Sequence, residues 1–358
     1  MNERFLHGGN VYAVNPAGKE WLDFSANINP LGLSEKVRRA IEKTIPQIIH
    51  YPDSSGQELK QAIADYYGLP QEEIVLGNGA AELFYVFFHA VRPARVLLPI
   101  PSFSEYERAA LSAGVKIDYY PLSADHSFAV TIDSLLEALP GHDCVILGNP
   151  NNPTGKLLTM QEMTRLVEEA KKISTMVIVD ESFLDFCRDE KTYTMQPFVS
   201  QLDNLLVIRS LTKFYAIPGL RLGFAAAASS MVRRLEENKD PWNVNLLAQK
   251  AGVAALQDYE YQQASKAFIA REKNELADSL ADLPGIAVFF PSVNFILLRL
   301  DESLPTSGQV CEKMRQRGIL LRDCANYPGL DGHYLRVAVR SPEDNRKMVV
   351  SLGECIAT

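Results

Sequence analysis

The sequence predicts an α/β protein: a large domain with a mostly parallel sheet, followed by a smaller α+β domain. Three observations carry this expectation. Strand-like and helix-like runs alternate through the middle of the chain. Runs such as "CVIL" and the "VIV" of "VIVD" are apolar on both faces, as strands are when helices cover both sides of a sheet. Toward the C-terminus the alternation gives way to short strands with two helices. A chain of 358 residues exceeds what one small core needs. The expected division is a large domain at residues 46–265 and a small one at 266–358, with residues 1–45 joining the small one.

Taken in order, "NVYAV" and "WLDFS" read as short strands around a turn. "SEKVRRAIEKTI" reads as a helix with Ser34 as N-cap and Val37, Ala40, Ile41 and Ile45 on one face. "QELKQAIADYYG" is a second helix that stops at Gly68. The alternation then runs strand and turn "EIVLGNG", helix "AAELFYVFFHAV", strand "RVLLPIP", helix "SFSEYERAALSAG", strand "VKIDYYPL" and helix "TIDSLLEAL". It continues with strand "DCVILGNP", helix "TMQEMTRLVEEAKKI" and strands "TMVIVDES", "NLLVIRSL" and "LRLGFAAAA". A long helical region is expected at about residues 244–281. "IAVFF", "NFILLRL", "GILLRD" and "YLRVAV" follow as strands, with helices at "SGQVCEKMRQRG" and "PEDNRKMVVSLGECI".

The formal net charge of -8 and the absence of any basic run argue against a nucleic-acid partner. The five cysteines are odd in number and show no CxxC pair. The six histidines form no ligand pair at helical spacing, so neither a disulfide framework nor a metal is expected. "MNERFLHGGN" lacks the apolar core of a signal peptide and no segment has the length of a membrane span, so a cytoplasmic protein without a membrane partner is expected.

Ligands of open α/β sheets sit beyond the carboxyl ends of the strands, and several strands here end in chemically useful groups. Asp180 closes the apolar run "VIVD", where an unpaired carboxylate costs several kcal/mol. By itself it reads equally as a helix cap or an internal ion pair. "GNGAAE" places small residues and free backbone N–H groups at a helix start, suited to phosphate, although glycines are common at such turns. Lys213 follows "VIRSLT" between hydroxyls and Arg221; taken singly it is a solvated loop lysine. Together these groups suit a cofactor that carries a phosphate, a ring nitrogen and an aldehyde, which describes pyridoxal 5'-phosphate.

In that order, "GNGAAE", "NPNNPTG", "VDESF" and "SLTKFYAIPGLRLG" give the sequence a close resemblance, over nearly its whole length, to the fold-type I pyridoxal-phosphate enzymes of the class I/II aminotransferase superfamily. "HGGN", "DFSANINPLG" and "RSLTKFYAIPGLRLG" most resemble the threonine-phosphate decarboxylase branch of cobalamin biosynthesis, itself similar to the histidinol-phosphate aminotransferases. The resemblance implies an aspartate-aminotransferase-like fold with pyridoxal 5'-phosphate bound covalently by Lys213. Asp180 would pair with the pyridinium nitrogen, Asn152 would bond the ring oxygen and Phe103 would stack on the ring. The backbone of Gly79, Ala80 and Ala81, with Ser210 and Arg221, would hold the cofactor phosphate. Tyr51 would reach the phosphate of a neighbouring subunit, implying a homodimer. One departure stands out: Phe183 replaces a tyrosine whose hydroxyl bonds the ring oxygen in many relatives, which should raise the pKa of the lysine–cofactor imine.

In "YLRVAVR", Arg336 and Arg340 share one face of a strand, about 13 Å apart at about 3.3 Å per residue. The resemblance gives Arg336 the substrate carboxylate and Arg322 the substrate phosphate. It gives His7, the Gly8 backbone, Asn27 and Asn152 the rest of the substrate pocket. Arg340 has no implied role, and a surface ion pair suits it about equally well. The implied reaction is decarboxylation of L-threonine O-3-phosphate, with Lys213 and Asp180 as catalytic groups of a carbon–carbon lyase. The rival readings are an aminotransferase acting on histidinol phosphate or another amino acid, and a regulator of the same fold that only binds ligand.

Overall fold

The computed structural model describes residues 5–18 and 20–357. The reading of the N-terminus as free of a signal peptide leans partly on residues 1–4, which lie outside the described residues. In chain order the strands are β1 (Leu22–Asp23), β2 (Ile74–Gly77), β3 (Arg95–Ile100), β4 (Lys116–Pro121), β5 (Cys144–Gly148), β6 (Met176–Asp180), β7 (Leu205–Ser210), β8 (Gly223–Ala227), β9 (Ile286–Phe289), β10 (Phe295–Leu300), β11 (Ile319–Leu320), β12 (Arg322–Asp323) and β13 (Tyr334–Ala338). The helices are α1 (Glu35–Thr44), α2 (Gln57–Tyr67), α3 (Ala80–Val91), α4 (Ser104–Ser112), α5 (Ile132–Ala138), α6 (Met160–Lys172), α7 (Ser229–Glu236), α8 (Leu246–Leu256), α9 (Tyr259–Ala281), α10 (Ser307–Gln316) and α11 (Pro342–Ile356).

A seven-stranded sheet, ordered β2-β8-β7-β6-β5-β3-β4, forms the large unit. It is mostly parallel; β8 alone runs against its neighbours β2 and β7. The all-apolar runs explain the layers. Ile146, Ile178 and Ile208 pack into one core with α3 and α4, while Val145, Val177 and Val207 pack into the other with α6 and α8. Cutting Ile178 to alanine would cost about 2–5 kcal/mol. From β3 the chain goes to β4 on one side and to β5 on the other, so the crevice where ligands bind opens at the carboxyl ends of β3 and β5.

The small unit is an antiparallel sheet ordered β12-β13-β10-β9, covered by α9, α10 and α11. β1 pairs in parallel with β11, so residues near the N-terminus are stitched to this unit. The residue-265 division expected from sequence falls within α9.

Local signals set many element ends. The Ser34 hydroxyl accepts from Val37 N at the start of α1, and Thr159 with Glu162 forms a capping box on α6. Gly68 closes α2 in the left-handed conformation. Three expectations need correction. Residues 10–14 form turns, with Tyr12 and Val14 exposed, because β1 already takes the open edge of β11. The helical stretch at 244–281 is two helices, broken at Gln257–Asp258. Ile45 lies beyond α1, exposed with Ile48 and Ile49, rather than on its buried face.

A buried ion cluster anchors the strand ends that matter most. Arg209, one residue before the end of β7, lies 3.0 Å from both Glu181 and Asp185, just beyond β6. Tyr67 donates to Asp185 at 3.0 Å. Removing one partner of such a buried set costs about 3–5 kcal/mol.

Candidate active site

A cavity of about 480 Å³ opens at the carboxyl end of the large sheet, with the small unit lining its opposite side. Asp180 ends β6 against it. The Tyr106 hydroxyl donates to Asp180 Oδ2 at 2.6 Å, and Ser182 N donates to Oδ1 at 2.9 Å. Asp180 has no cationic side chain as ion-pair partner among the described residues. It is a buried carboxylate held in place by two neutral donors, leaving it able to take a positive group from a ligand.

Lys213 stands two residues past Thr212's neighbour Leu211, in the loop after β7. Its carbonyl accepts from Asn29 N at 3.0 Å, which ties the loop to the N-terminal segment. Its ammonium lies 4.8 Å from the centre of the Phe183 ring. Burial, aided by the charges of Arg221 and Arg336 and opposed by Asp180, pulls the lysine down to about 8. About a tenth is then a free amine near pH 7, far more than for an ordinary lysine, and this is the form that attacks an aldehyde.

The helix start after β2 forms a cradle. Gly79 precedes α3 with φ +82°, and a Cβ there would sit 2.2 Å from Arg221 Nη2. Only glycine lets the guanidinium lie against the helix N-terminus. Ser210 Oγ and Thr212 Oγ1 are 2.7 Å apart on the same wall. Helix N–H groups, a guanidinium and two hydroxyls make a site for a dianion.

The opposite wall comes from the small unit. Arg322 and Arg336 are buried, and neither has a carboxylate partner among the described residues. Arg336 donates to Asn152 Oδ1 and to the Ser25 carbonyl at 2.8 Å, while its Nε is buried without a partner. Arg322 donates to Asn326 Oδ1 at 2.7 Å and lies over the Tyr327 ring, 5.0 Å from its centre. Two buried cations without acids are costly unless an anion completes them. Arg340 is placed otherwise than a surface ion pair would be. It is largely buried and donates to the main-chain carbonyls of Asp23 and Ala26, pinning the segment that carries Ser25 and Asn27.

His7, Gly8, Asn27, Ala80, Ala81, Phe103, Asn152, Asp180, Ser210, Lys213, Arg221, Arg322 and Arg336 all line the cavity. Gly79 lies directly behind it, against Arg221. Tyr51 is not brought there: it is exposed on the surface and stacked on Trp242. Sequence reasoning missed Tyr106, Tyr327 and Glu105. Tyr106 sits one turn after Phe103 on α4, a spacing that places it on the same helix face. For Tyr327 and Glu105 the sequence carries no comparable signal.

The set fits pyridoxal 5'-phosphate: an amine of lowered pKa for the aldehyde, a buried acid for the ring nitrogen, an aromatic face in Phe103 and a cradle that a Cβ at residue 79 would fill. The unmatched arginines then remain for the anionic groups of a substrate. The chain is 37% identical over 354 residues to the threonine-phosphate decarboxylase of Salmonella typhimurium, covering 97% of this chain and 95% of the relative. Its fold matches the crystal structure of L-threonine-O-3-phosphate decarboxylase from Porphyromonas gingivalis with a TM-score of 0.84 at 28% identity, over 94% of this chain and 100% of the other. The histidinol-phosphate aminotransferase from Clostridium acetobutylicum superposes with a TM-score of 0.88 at 29% identity, over 94% of this chain and 99% of the other. The family model described as "Aminotransferase class I and II" matches residues 19–352, and the chain belongs to that family.

Proposed function

We propose that the chain is a pyridoxal-phosphate-dependent carbon–carbon lyase that decarboxylates L-threonine O-3-phosphate to (R)-1-amino-2-propanol O-2-phosphate, the step the resemblance places in cobalamin biosynthesis. The observation that carries this reading is the pair Arg322 and Arg336, two buried cations without acids on one wall of the cavity, in a chain 37% identical to a threonine-phosphate decarboxylase. A substrate with a carboxylate and a phosphate supplies one anion to each.

Bound pyridoxal phosphate supplies a ring that accepts the electron pair left when the bond to the carboxylate breaks. The chain's residues do the rest. Asp180, held by Tyr106, would keep a proton at the ring nitrogen. Asn152 would bond the ring oxygen, and Phe103 would supply an aromatic face. The cradle of α3, Ser210 and Arg221 would hold the cofactor phosphate. Arg336 would take the substrate carboxylate and Arg322 its phosphate, and by fixing both ends they would set which bond at the α-carbon is presented for cleavage. Carbon dioxide would leave, and Lys213 in its ammonium form would return a proton to the α-carbon, becoming the neutral amine.

The test is to supply L-threonine O-3-phosphate to the holoenzyme without any keto acid and measure carbon dioxide. Multiple turnovers support the lyase. A strict need for a keto-acid acceptor means an aminotransferase, and binding without turnover means a regulator. A homodimer fits the exposed apolar run of Ile45, Ile48 and Ile49, next to Tyr51 stacked on Trp242 at 4.8 Å. A second copy would cover this run and receive Tyr51. Among the described residues no helix is long and apolar enough to cross a membrane.

A further inference from the structure

Residues 5–9 cross the mouth of the cavity and are held from both sides. Toward the large unit, His7 Nε2 lies 2.7 Å from Glu105 Oε1, and the His7 ring packs on Phe103 with centroids 5.7 Å apart. The Arg108 guanidinium lies over Phe5, 5.7 Å from the ring centre. Toward the small unit, Asn326 Nδ2 donates to the Leu6 carbonyl at 3.1 Å, and Gly9 N donates to Ser25 Oγ at 2.7 Å. Gly8 lies so close to Ser25 that a Cβ would meet its carbonyl oxygen at 2.3 Å.

Glu105 is out of place by charge. Among the described residues it is, apart from Asp180, the one carboxylate lining a cavity otherwise rich in cations. It is buried, and Tyr85 and Arg108 also donate to it, at 3.0 and 3.4 Å. Burial pushes its carboxyl up, but the His7 hydrogen bond and charge, with Tyr85 and Arg108, outweigh that and hold it below the usual range. A bare negative charge there opposes an incoming phosphate. Paired with His7 it does something else. It takes one ring nitrogen, so Nδ1 is the edge left, and that edge has no protein partner among the described residues. An imidazole between two anions donates from both nitrogens when it carries both protons.

We propose that Glu105 is a positioning residue that acts through His7, turning its imidazole so that Nδ1 meets the substrate's phosphate opposite Arg322. Glu105 thereby helps select phosphorylated over unphosphorylated amino acids. This rests on the reading of the substrate as a phosphorylated amino acid.

The test is a double-mutant cycle on the holoenzyme with Glu105→Gln, His7→Ala and the two combined. The measurement is the dissociation constants of L-threonine O-3-phosphate and L-threonine, followed by the absorbance of the bound cofactor. Glu105→Gln is expected to weaken the phosphorylated ligand roughly tenfold and L-threonine less than twofold. The double variant is expected to be no worse than His7→Ala, because the effect passes through the imidazole. Equal weakening of both ligands, additive losses, or no change in Glu105→Gln would each overturn the proposal. If Glu105→Gln does not yield holoenzyme, Glu105→Asp enters the same cycle under the same criteria. A wild-type protein with no preference for the phosphorylated ligand refutes the substrate reading itself. A wild-type preference retained in Glu105→Gln refutes only this inference.

Discussion

The cofactor wall and the substrate wall of the cavity are built in different ways. The cofactor wall is made of strand ends: Asp180 on β6, Ser210 and Lys213 at and after β7, and the start of α3 after β2. Each position is set by a short apolar run leading into it, and the Arg209–Glu181–Asp185 cluster locks two of those ends. The substrate wall is assembled from three distant segments: residues 5–9, residues 23–27, and β12 through β13 with the loop between. Its two arginines are held by a main-chain carbonyl and side-chain amides rather than by acids, while His7 is held by Glu105. The parts of the first wall belong to one sheet. The second joins segments from both ends of the chain, with Arg322 and Arg336 paired in the small sheet.

Four measurements would break or sharpen this comparison. The largest effect belongs to the cofactor wall: Lys213→Ala should lower kcat by about 10³-fold or more. The check is steady-state carbon dioxide release, together with loss of the borohydride-fixed pyridoxyl tag from the Lys213 peptide. Near-normal turnover would remove the chemical basis of the site.

Next comes the substrate wall. Arg336→Gln should lower kcat/KM by about 30-fold or more for both L-threonine O-3-phosphate and L-threonine, whereas Arg322→Gln should do so for the phosphorylated substrate alone. Equal losses on the two substrates for Arg322→Gln would show that the two cations do not divide the anions between them. A smaller effect, about tenfold in kcat, is expected for Tyr106→Phe. Asp180 would then keep only the Ser182 amide. An unchanged kcat would make the tyrosine a packing residue.

The mildest effect is one of pH. Lys213 is pulled down to about 8, so the apoprotein should capture pyridoxal phosphate faster as pH rises through about 8, then level off. The sign follows from the nucleophile: the lowered value means the proton leaves earlier, and only the proton-free amine attacks. Below the midpoint the rate should fall about tenfold per pH unit. A midpoint near 10 in stopped-flow absorbance would mean that the lysine is not desolvated as the structure has it.

The two walls also differ in how legible they were. Asp180 and Lys213 could be read because an apolar strand that ends in a charge is unusual, and the accompanying motifs name the chemistry. Arg340 could not be read, because alternation puts it on the face of Arg336 while its partners, the carbonyls of Asp23 and Ala26, lie more than 300 residues away in the chain. The strand expected at residues 10–14 had the right side chains but no free edge to pair with. Nothing in the sequence singles out Glu105 on α4, because its partner His7 lies 98 residues away in the chain.

From the sequence alone came the two-faced strands and their order along the chain, the cap at Ser34, the glycine at the cradle and the kind of chemistry its motifs support. These depend on propensities and contacts within a few residues or within one strand–turn–helix unit. The tertiary structure decided which arginines face the cavity without an acid, which tyrosine holds Asp180, and what crosses the entrance. Those outcomes turn on the pairing of buried charges and hydrogen-bonding groups, and the partner of such a group is whatever the rest of the fold brings to it.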